Sequence, residues 1–216
     1  MDNDKRLHAL KFKMKTTLTD HLDNITNILA NIGERVEGNL YCDVEPHQLM
    51  IGGKEKRENL IELCVNKKKI LEIGFNAGHS ALFMLDSNSL AEYVFFDLDF
   101  HKYTQPCFDY LESAFSNTPL SIHYGDSKKT LSDFSSNAEN VNSFDLVHLD
   151  GGHDADTLVK DYCNSMLLLK KGGVIIVDDT DYPHINNFVN VQLESDNVQE
   201  LFLTSTEKHR ILQKNA

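Results

Sequence analysis

Residues 70–80 read Ile-Leu-Glu-Ile-Gly-Phe-Asn-Ala-Gly-His-Ser, an apolar run followed by two glycines spaced as G-x-x-x-G. The run from Ile70 to Ile73 predicts a short buried strand, and the glycines predict a tight strand-to-helix turn. At such a turn a ligand can approach the backbone closely and meet the first amides of the helix. A dinucleotide site would instead show G-x-G-x-x-G, so this spacing disfavours a nicotinamide cofactor.

Further strand-like runs follow, separated by helix-length segments: Tyr93–Phe96, Leu120–Tyr124, Phe144–Leu149 and Val174–Val177. Strands that alternate with helices predict right-handed crossovers and a parallel sheet covered on both faces. The rhythm then changes, because Leu201–Thr204 and Arg210–Gln213 are separated by only a few polar residues, which permits a hairpin but no helical crossover. The predicted fold class is α/β, a Rossmann-like and mostly parallel sheet with helices on both faces and a C-terminal antiparallel hairpin.

The front of the chain has a helical pattern, with apolar residues recurring at Leu18, Leu22, Ile25, Leu29 and Ile32. This spacing predicts one or two amphipathic helices over roughly the first 32 residues. The stretch from residue 39 to 53 holds a proline and a Gly-Gly pair, which are typical of a loop. We therefore expect an N-terminal helical extension and loop over residues 1–55 and a second domain over residues 56–216. The apolar front helix suits a homodimer interface or a lid over a bound substrate.

Composition narrows the set of partners. The formal net charge of the 216 residues is -12, which disfavours nucleic acid and anionic membranes as partners. The basic run Lys67 to Lys69 is interpreted as a solvated helix end before a strand. Four scattered cysteines show no C-x-x-C spacing, which argues against a zinc site and a disulfide scaffold. Because the charged N-terminus lacks the apolar core of a signal peptide, the expected location is the cytoplasm.

Two more carboxyl-end loops carry acids suited to a nucleotide. The second strand is followed by Asp97 and Asp99, and an acid at this point in α/β nucleotide sites accepts hydrogen bonds from ribose hydroxyls. Asp97 is the preferred candidate because it comes directly after the last predicted strand residue. The third strand ends in Tyr-Gly-Asp-Ser, where Asp126 and Ser127 meet an adenine edge, cap the next helix, or do both.

These motifs, together with Leu-Leu-Lys-Lys-Gly-Gly at residues 168–173, resemble class I S-adenosylmethionine (SAM) dependent methyltransferases. Residues 144–153, Phe-Asp-Leu-Val-His-Leu-Asp-Gly-Gly-His, and residues 177–180, Val-Asp-Asp-Thr, are similar to the branch of catechol, caffeoyl-CoA and macrocin O-methyltransferases. The resemblance runs from roughly Glu58 to the C-terminus. It implies seven strands with the last one antiparallel beside the fifth, and methyl transfer to a hydroxyl of a small molecule such as a sugar or a phenol.

The same resemblance implies where the cofactor lies. Glu72 and Gly74 are expected near the aminoacyl end of SAM, Asp97 on the ribose, and Asp126 with Ser127 near the adenine. The set of expected cofactor-binding residues is completed by Gly78, Ser80 and Asp150.

Three aspartates are expected to converge at the ligand edge of the sheet. Asp150 closes the fourth strand, and Asp178 and Asp179 close the fifth. If these strands are neighbours, their ends lie about 5 Å apart, and an uncompensated cluster would raise the pKa of at least one carboxyl. A hard divalent cation such as Mg²⁺ would neutralise these oxygens, and in the resembled branch the metal lowers the pKa of the acceptor hydroxyl. The prediction is a metal site, with metal-free transfer as the alternative.

The general base is predicted to be His153. It stands three residues beyond Asp150, where the catechol-type branch has a lysine, while Asp179 replaces that branch's asparagine, as in macrocin-type enzymes. An imidazole with an ordinary pKa near ~6.5 is largely neutral at cellular pH and can accept a proton. Two other functions stay open, a SAM-binding module without catalysis and a nicotinamide-dependent oxidoreductase. The remaining histidines are interpreted as structural or solvated, namely His79, His101, His148 and His184.

Overall fold

The structure is a computed structural model that describes residues 3–38, 53–204 and 208–215. Its helices are α1 Asn3–Ile32, α2 Lys54–Cys64, α3 His79–Ser87, α4 Thr104–Ala114, α5 Ser127–Ser136, α6 Ala155–Leu168 and α7 Pro183–Leu193. Its strands are β1 Lys69–Ile73, β2 Glu92–Asp97, β3 Leu120–Tyr124, β4 Phe144–Leu149, β5 Leu169–Asp178, β6 Val198–Leu201 and β7 His209–Lys214.

The strands form one seven-stranded sheet in the order β3-β2-β1-β4-β5-β7-β6. Strands β1 to β5 pair in parallel, and β7 runs antiparallel between β5 and β6. The predicted α/β class and its antiparallel C-terminal hairpin are therefore confirmed. The strand order reverses between β1 and β4, which is the point where ligands bind in open α/β sheets, outside the carboxyl ends of the strands.

Side chains alternate across the sheet and build two cores, one on each face. Ile70, Leu146 and Ile176 point to the face that also packs with α1 and α3 residues. Leu71 and Val147 point to the opposite face, in the cluster that contains residues of α6 and α7. This alternation decides which polar residues at the strand ends share a face with one another.

The front helix is part of the main core. Ile25 of α1 is fully buried, and α1 packs against α3 and α4. Helix α2 begins at Lys54, so the expected domain boundary at residues 55/56 falls inside its first turn. The predicted loop from Asn39 lies outside the described residues as far as Gly52. Among the residues that are described, no helix combines the length and apolar character needed to cross a membrane.

Two local predictions were wrong. Strand β6 occupies Val198–Leu201 rather than Leu201–Thr204, and Phe202, whose apolar character suggested a strand, is 86% exposed. The apolar spacing of residues 155–167 in the sequence predicts a single buried face of α6 that includes Val159 and Leu167, yet both are exposed. The buried face of α6 instead includes the polar residues Thr157, Asp161 and Ser165, because it packs on polar groups of α5 and the β4 loop.

Candidate functional site

The loop after β1 approaches the loop after β4 very closely. Gly74 has φ +95°, and a Cβ atom placed on it would lie 1.9 Å from the carbonyl oxygen of Asp150. Gly78, which precedes α3, has φ +76°, and its Cβ would lie 2.6 Å from the ring of Phe75. Both positions therefore need glycine, and both glycines are required by the fold of the loop itself.

Asp97, the last residue of β2, lies beside this loop. Its carboxylate accepts the backbone N–H of Asn76 at 2.7 Å and that of Asp99 at 2.8 Å. Burial raises the pKa of Asp97, and these two amides partly oppose the shift. Among the described residues, the Oδ1 atom of Asn76 and the Oη atom of Tyr124, which pairs with Asp97 across β2 and β3, are buried without a hydrogen-bond partner. Unpartnered polar atoms around a strand-end carboxylate fit a polar ligand such as a nucleoside at this edge.

The segment that follows α1 is hydrogen-bonded to the loop after β1 and to the loop after β2. Glu34 accepts a hydrogen bond from Lys102 N at 3.0 Å and pairs with the His101 Nδ1 atom at 2.8 Å. Asn76 donates to the backbone oxygen of Glu37, whose own N–H donates to the Tyr103 hydroxyl at 3.3 Å. The segment after the N-terminal helix and the loops that follow β1 and β2 thus form one hydrogen-bonded unit.

The third loop resolves part of an open alternative. The Asp126 side chain accepts the Lys128 N–H at 2.9 Å, so Asp126 caps α5. Ser127 donates its hydroxyl to Asp161 at 2.9 Å. Asp161 itself is fully buried, and burial raises its pKa to about 6 against the opposing hydrogen bond from Ser127. The capping role is confirmed, while contact of Asp126 and Ser127 with an adenine stays a prediction.

A buried polar row crosses the sheet near the carboxyl ends of β1, β4 and β5; it consists of Ser80, Glu72, His148, Asp178 and Lys56. The side-chain alternation puts the three strand residues of this row on one face, which α2 and α3 cover. Ser80 donates to Glu72, the His148 Nδ1 atom lies 2.9 Å from the same carboxylate, and Lys56 donates to Asp178. The remaining contact, between His148 Nε2 and Asp178 Oδ2, is 3.7 Å.

Charge is balanced inside this buried polar row. Burial alone would lower the pKa of His148, but its contacts with Asp178 and Glu72 raise it to about 10. Burial would raise the pKa of Asp178, but His148 and Lys56 hold it below its ordinary value. Two cations of the chain thus stabilise a carboxylate at the end of β5. His148, interpreted from the sequence as structural or solvated, is the residue that joins Glu72 of β1 to Asp178 at the end of β5.

A second polar group lies on the more exposed side of the same edge. The His153 Nε2 atom is 2.6 Å from Asp179 Oδ2, and their side chains are 50% and 25% exposed. The hydrogen bond with Asp179 raises the pKa of His153, whereas burial acts in the opposite direction. Asp150 lies close to both the buried polar row and the His153–Asp179 pair. Burial together with the charge of Asp178 raises the pKa of Asp150 well above its ordinary value.

The fit to a divalent cation can be tested from these positions. Ligand atoms lie within 4.8 Å of one another in two sets among the described residues: His148, Asp150 and Asp178, and Asp150, His153 and Asp179. The predicted ligands are therefore divided, since Asp178 faces the chain's own cations while Asp150 and Asp179 face His153. Two carboxylates and an imidazole suit borderline divalent metals such as Mn²⁺ as well as Mg²⁺. The outer set, formed by Asp150, His153 and Asp179, fits such a cation.

Some residues of the site were not found from the sequence. Lys56 stands in a charged stretch, Lys-Glu-Lys-Arg-Glu, that gives no sign of which side chain turns inward. His148 could have been found, because it lies on β4 in the same face-alternation class as Leu146 and directly precedes the strand end at which Asp150 follows. Asp161 interrupts an apolar helix pattern, which signals a buried polar contact only once the loops above it are known.

The comparisons with known proteins agree with this geometry. The methyltransferase-domain family matches residues 71–180, just over half of the 216-residue chain. The chain therefore belongs to that family, and its class is that of the class I SAM-dependent methyltransferases, in the branch similar to caffeoyl-CoA O-methyltransferase. No curated protein matches the sequence.

Solved structures share the fold at low sequence identity. The O-methyltransferase from Bacillus cereus, in complex with S-adenosylhomocysteine, has a TM-score of 0.67 and 17% identity over 91% of each chain. The O-methyltransferase TomG from Streptomyces achromogenes, involved in tomaymycin synthesis and bound to SAM, has a TM-score of 0.62 and 14% identity over 91% of this chain and 90% of its own. A methyltransferase from Geobacter sulfurreducens has a TM-score of 0.61 and 11% identity over 91% of this chain and 89% of its own. At these identities the likeness concerns the fold.

Proposed function

We propose that the protein transfers the methyl group of SAM to a hydroxyl of a small molecule, with a divalent cation held by Asp150 and Asp179, the two carboxylates of the outer set, and with His153 left free as a base. The observation that carries the cofactor part is Asp97, held by two backbone amides at the end of β2 beside the glycine loop. A carboxylate fixed in this way is suited to accept hydrogen bonds from a ribose. Structures of the same fold are bound to SAM and S-adenosylhomocysteine, which supports the same cofactor here.

The acceptor is proposed to enter above the outer set. A divalent cation held by Asp150 and Asp179 would lower the pKa of a bound hydroxyl. His153 lies beside Asp179, and we propose that it takes the hydroxyl proton or orients that hydroxyl. The hydrogen bond with Asp179 raises the pKa of His153 and favours its protonated form, so the imidazole becomes neutral and available as a base when Asp179 binds a cation instead. Tyr182 packs on the His153 ring at 5.6 Å between centroids and offers an exposed aromatic face to a sugar or phenol.

The proposed location of the protein is the cytoplasm. Its proposed partner is a small molecule, and nucleic acid and membranes are not expected to bind. A net charge of -12 supports the exclusion of phosphate-rich partners. A homodimer through the N-terminal helices stays a prediction, and the packing of α1 on α3 and α4 shows that this helix already buries part of its apolar face within the chain.

The proposal is tested by calorimetry and a methylation screen. We expect SAM and S-adenosylhomocysteine to bind with micromolar affinity and NADH not to bind. Binding of NADH without SAM would refute the cofactor. A library of small hydroxyl compounds is then incubated with labelled SAM and either Mg²⁺, Mn²⁺ or excess EDTA. Full turnover in EDTA would refute the metal and support the metal-free alternative.

A further inference from the structure

Lys56 differs from the other lysine of its helix. Its side chain is 12% exposed and its ammonium contacts Asp178, whereas the Lys54 side chain is 66% exposed and pairs with Glu58 at 3.6 Å along the helix. A buried ammonium is stable only if it is paired. The position of Lys56 at the carboxyl end of β5 therefore needs an explanation that Lys54 does not.

The surroundings of Lys56 show what it responds to. Burial lowers the pKa of Lys56, but the carboxylates of Asp178, Asp150 and Asp179 together raise it above its ordinary value. All three predicted metal ligands thus act on one ammonium of the chain. The positive charge of Lys56 in turn repels any cation that these carboxylates hold.

The charge of Lys56 also explains why the candidate ligand atoms form two sets. Asp178 and Asp150 share the inner set with His148, and Asp150 and Asp179 share the outer set with His153. In the inner set, the Asp178 side chain is 1% exposed and its Oδ2 atom is near both Lys56 and His148. Its Oδ1 atom has no hydrogen-bond partner among the described residues, but the charge of the carboxylate is already balanced by two cationic side chains, which weakens its attraction for a further cation.

We propose that Lys56 is the chain's own counter-ion for Asp178, which removes this carboxylate from the metal ligands and leaves the cation to the outer set. The inference rests on the metal part of the proposed function. It assigns to Lys56 a role in setting how tightly a divalent cation binds, through charge, without contact between Lys56 and the cation.

The test is Mn²⁺ binding, measured from the electron paramagnetic resonance signal of the free ion, on the full chain without acceptor. Lys56→Met keeps the apolar stem and removes the charge, and we expect it to bind Mn²⁺ at least tenfold more tightly than the wild type. Lys56→Arg keeps the charge and should bind like the wild type. Lys54→Met is the matched control on the exposed side of the helix and should also leave the affinity unchanged.

A double variant separates the charge of Lys56 from ligation by Asp178. Lys56→Met with Asp178→Asn removes one positive and one negative charge together, and we expect wild-type affinity for Mn²⁺. A tenfold or greater loss would show that Asp178 is a ligand and would overturn the inference. Equal affinity of Lys56→Met and wild type would overturn it too, as would the absence of Mn²⁺ binding in every variant.

SAM affinity, measured on the same samples, keeps this result apart from the proposed function. If Lys56→Met unfolds and loses SAM, the double variant carries the test, because it leaves no unpaired buried charge. Failure of the wild type to bind SAM would refute the methyltransferase proposal, whatever the Mn²⁺ titrations show. A purely structural role for Lys56 would lower the melting temperature without raising the affinity for Mn²⁺.

Discussion

Gly74→Ala should destabilise the protein far more than the same substitution at another glycine that also has a positive φ. The new Cβ would lie 1.9 Å from the Asp150 carbonyl oxygen, and ordinary contact begins at 3.4 Å, so the loop after β4 must retreat by about 1.5 Å. That retreat strains the backbone hydrogen bond of 2.9 Å from Asp150 N to the Ile73 oxygen. The other side of Gly74 is fixed as well, since its N–H donates to Phe96 at 2.8 Å.

The magnitude follows from three contributions. A positive φ costs an alanine about 1–2 kcal/mol, overpacking against backbone about 1–3 kcal/mol, and a weakened hydrogen bond about 1 kcal/mol. We therefore expect a loss of about 3–6 kcal/mol in the free energy of unfolding, which is a large part of the stability of a typical domain.

The assay is urea denaturation without ligand, and Gly172→Ala is the matched control. Gly172 has φ +74°, and a Cβ atom placed on it would meet nothing within 4 Å, so only the backbone contribution of about 1–2 kcal/mol should be lost there. The difference between the two variants measures the contact with Asp150. Equal losses at both positions would refute the close approach of the two loops.

Three further perturbations test the site. Asp97→Asn should weaken SAM binding by about ten- to a hundredfold, the equivalent of losing charged hydrogen bonds of ~1.5–3 kcal/mol. Asp99→Asn is the control and should have little effect, because the exposed side chain of Asp99 lies beyond the strand. Calorimetry that shows the reverse would make Asp99 the ribose ligand. His153→Ala should lower the methyl-transfer rate by about 10²–10⁴-fold with unchanged SAM affinity, and an unchanged rate would rule out an acid–base role. Asp161→Asn should stabilise the protein by about 2–3 kcal/mol above pH 7, because the buried carboxyl has its pKa raised to about 6 and its ionisation opposes folding. That gain should shrink as pH falls through about 6 and vanish below about 4, so urea titrations showing a constant gain would contradict the assignment.

Most of the fold could be predicted from strand pattern and turn glycines. The parallel strands read directly as apolar runs, since both faces of such a sheet are buried. The hairpin was predicted from the short separation of its strands, but β6 was displaced because exposed Phe202 looks like a strand residue in sequence. Apolar character does not reveal exposure in a short edge strand, where one face is solvated.

The candidate site could be predicted only as far as the strand ends. The positions of Asp97, Asp150, Asp178 and Asp179 follow from strand boundaries, and the structure places them at one edge of the sheet. What each carboxylate faces depends on helices that come from elsewhere in the chain. Asp178 is paired with Lys56 inside the protein, and no sequence spacing relates a lysine to a partner 122 positions away.

Three non-glycine residues at the ligand edge have left-handed backbone: Asn76 at φ +54°, Asp99 at +59° and Asp179 at +56°. Such conformations cost a side-chain-bearing residue free energy, and Asn and Asp tolerate them best. Glycine at any of the three would relieve strain, and at Asp179 it would also remove a negative charge beside Asp178. Selection for heat resistance alone would therefore favour changes in the same loops that bind ligands, so a thermostable variant of this protein should be checked first for loss of turnover.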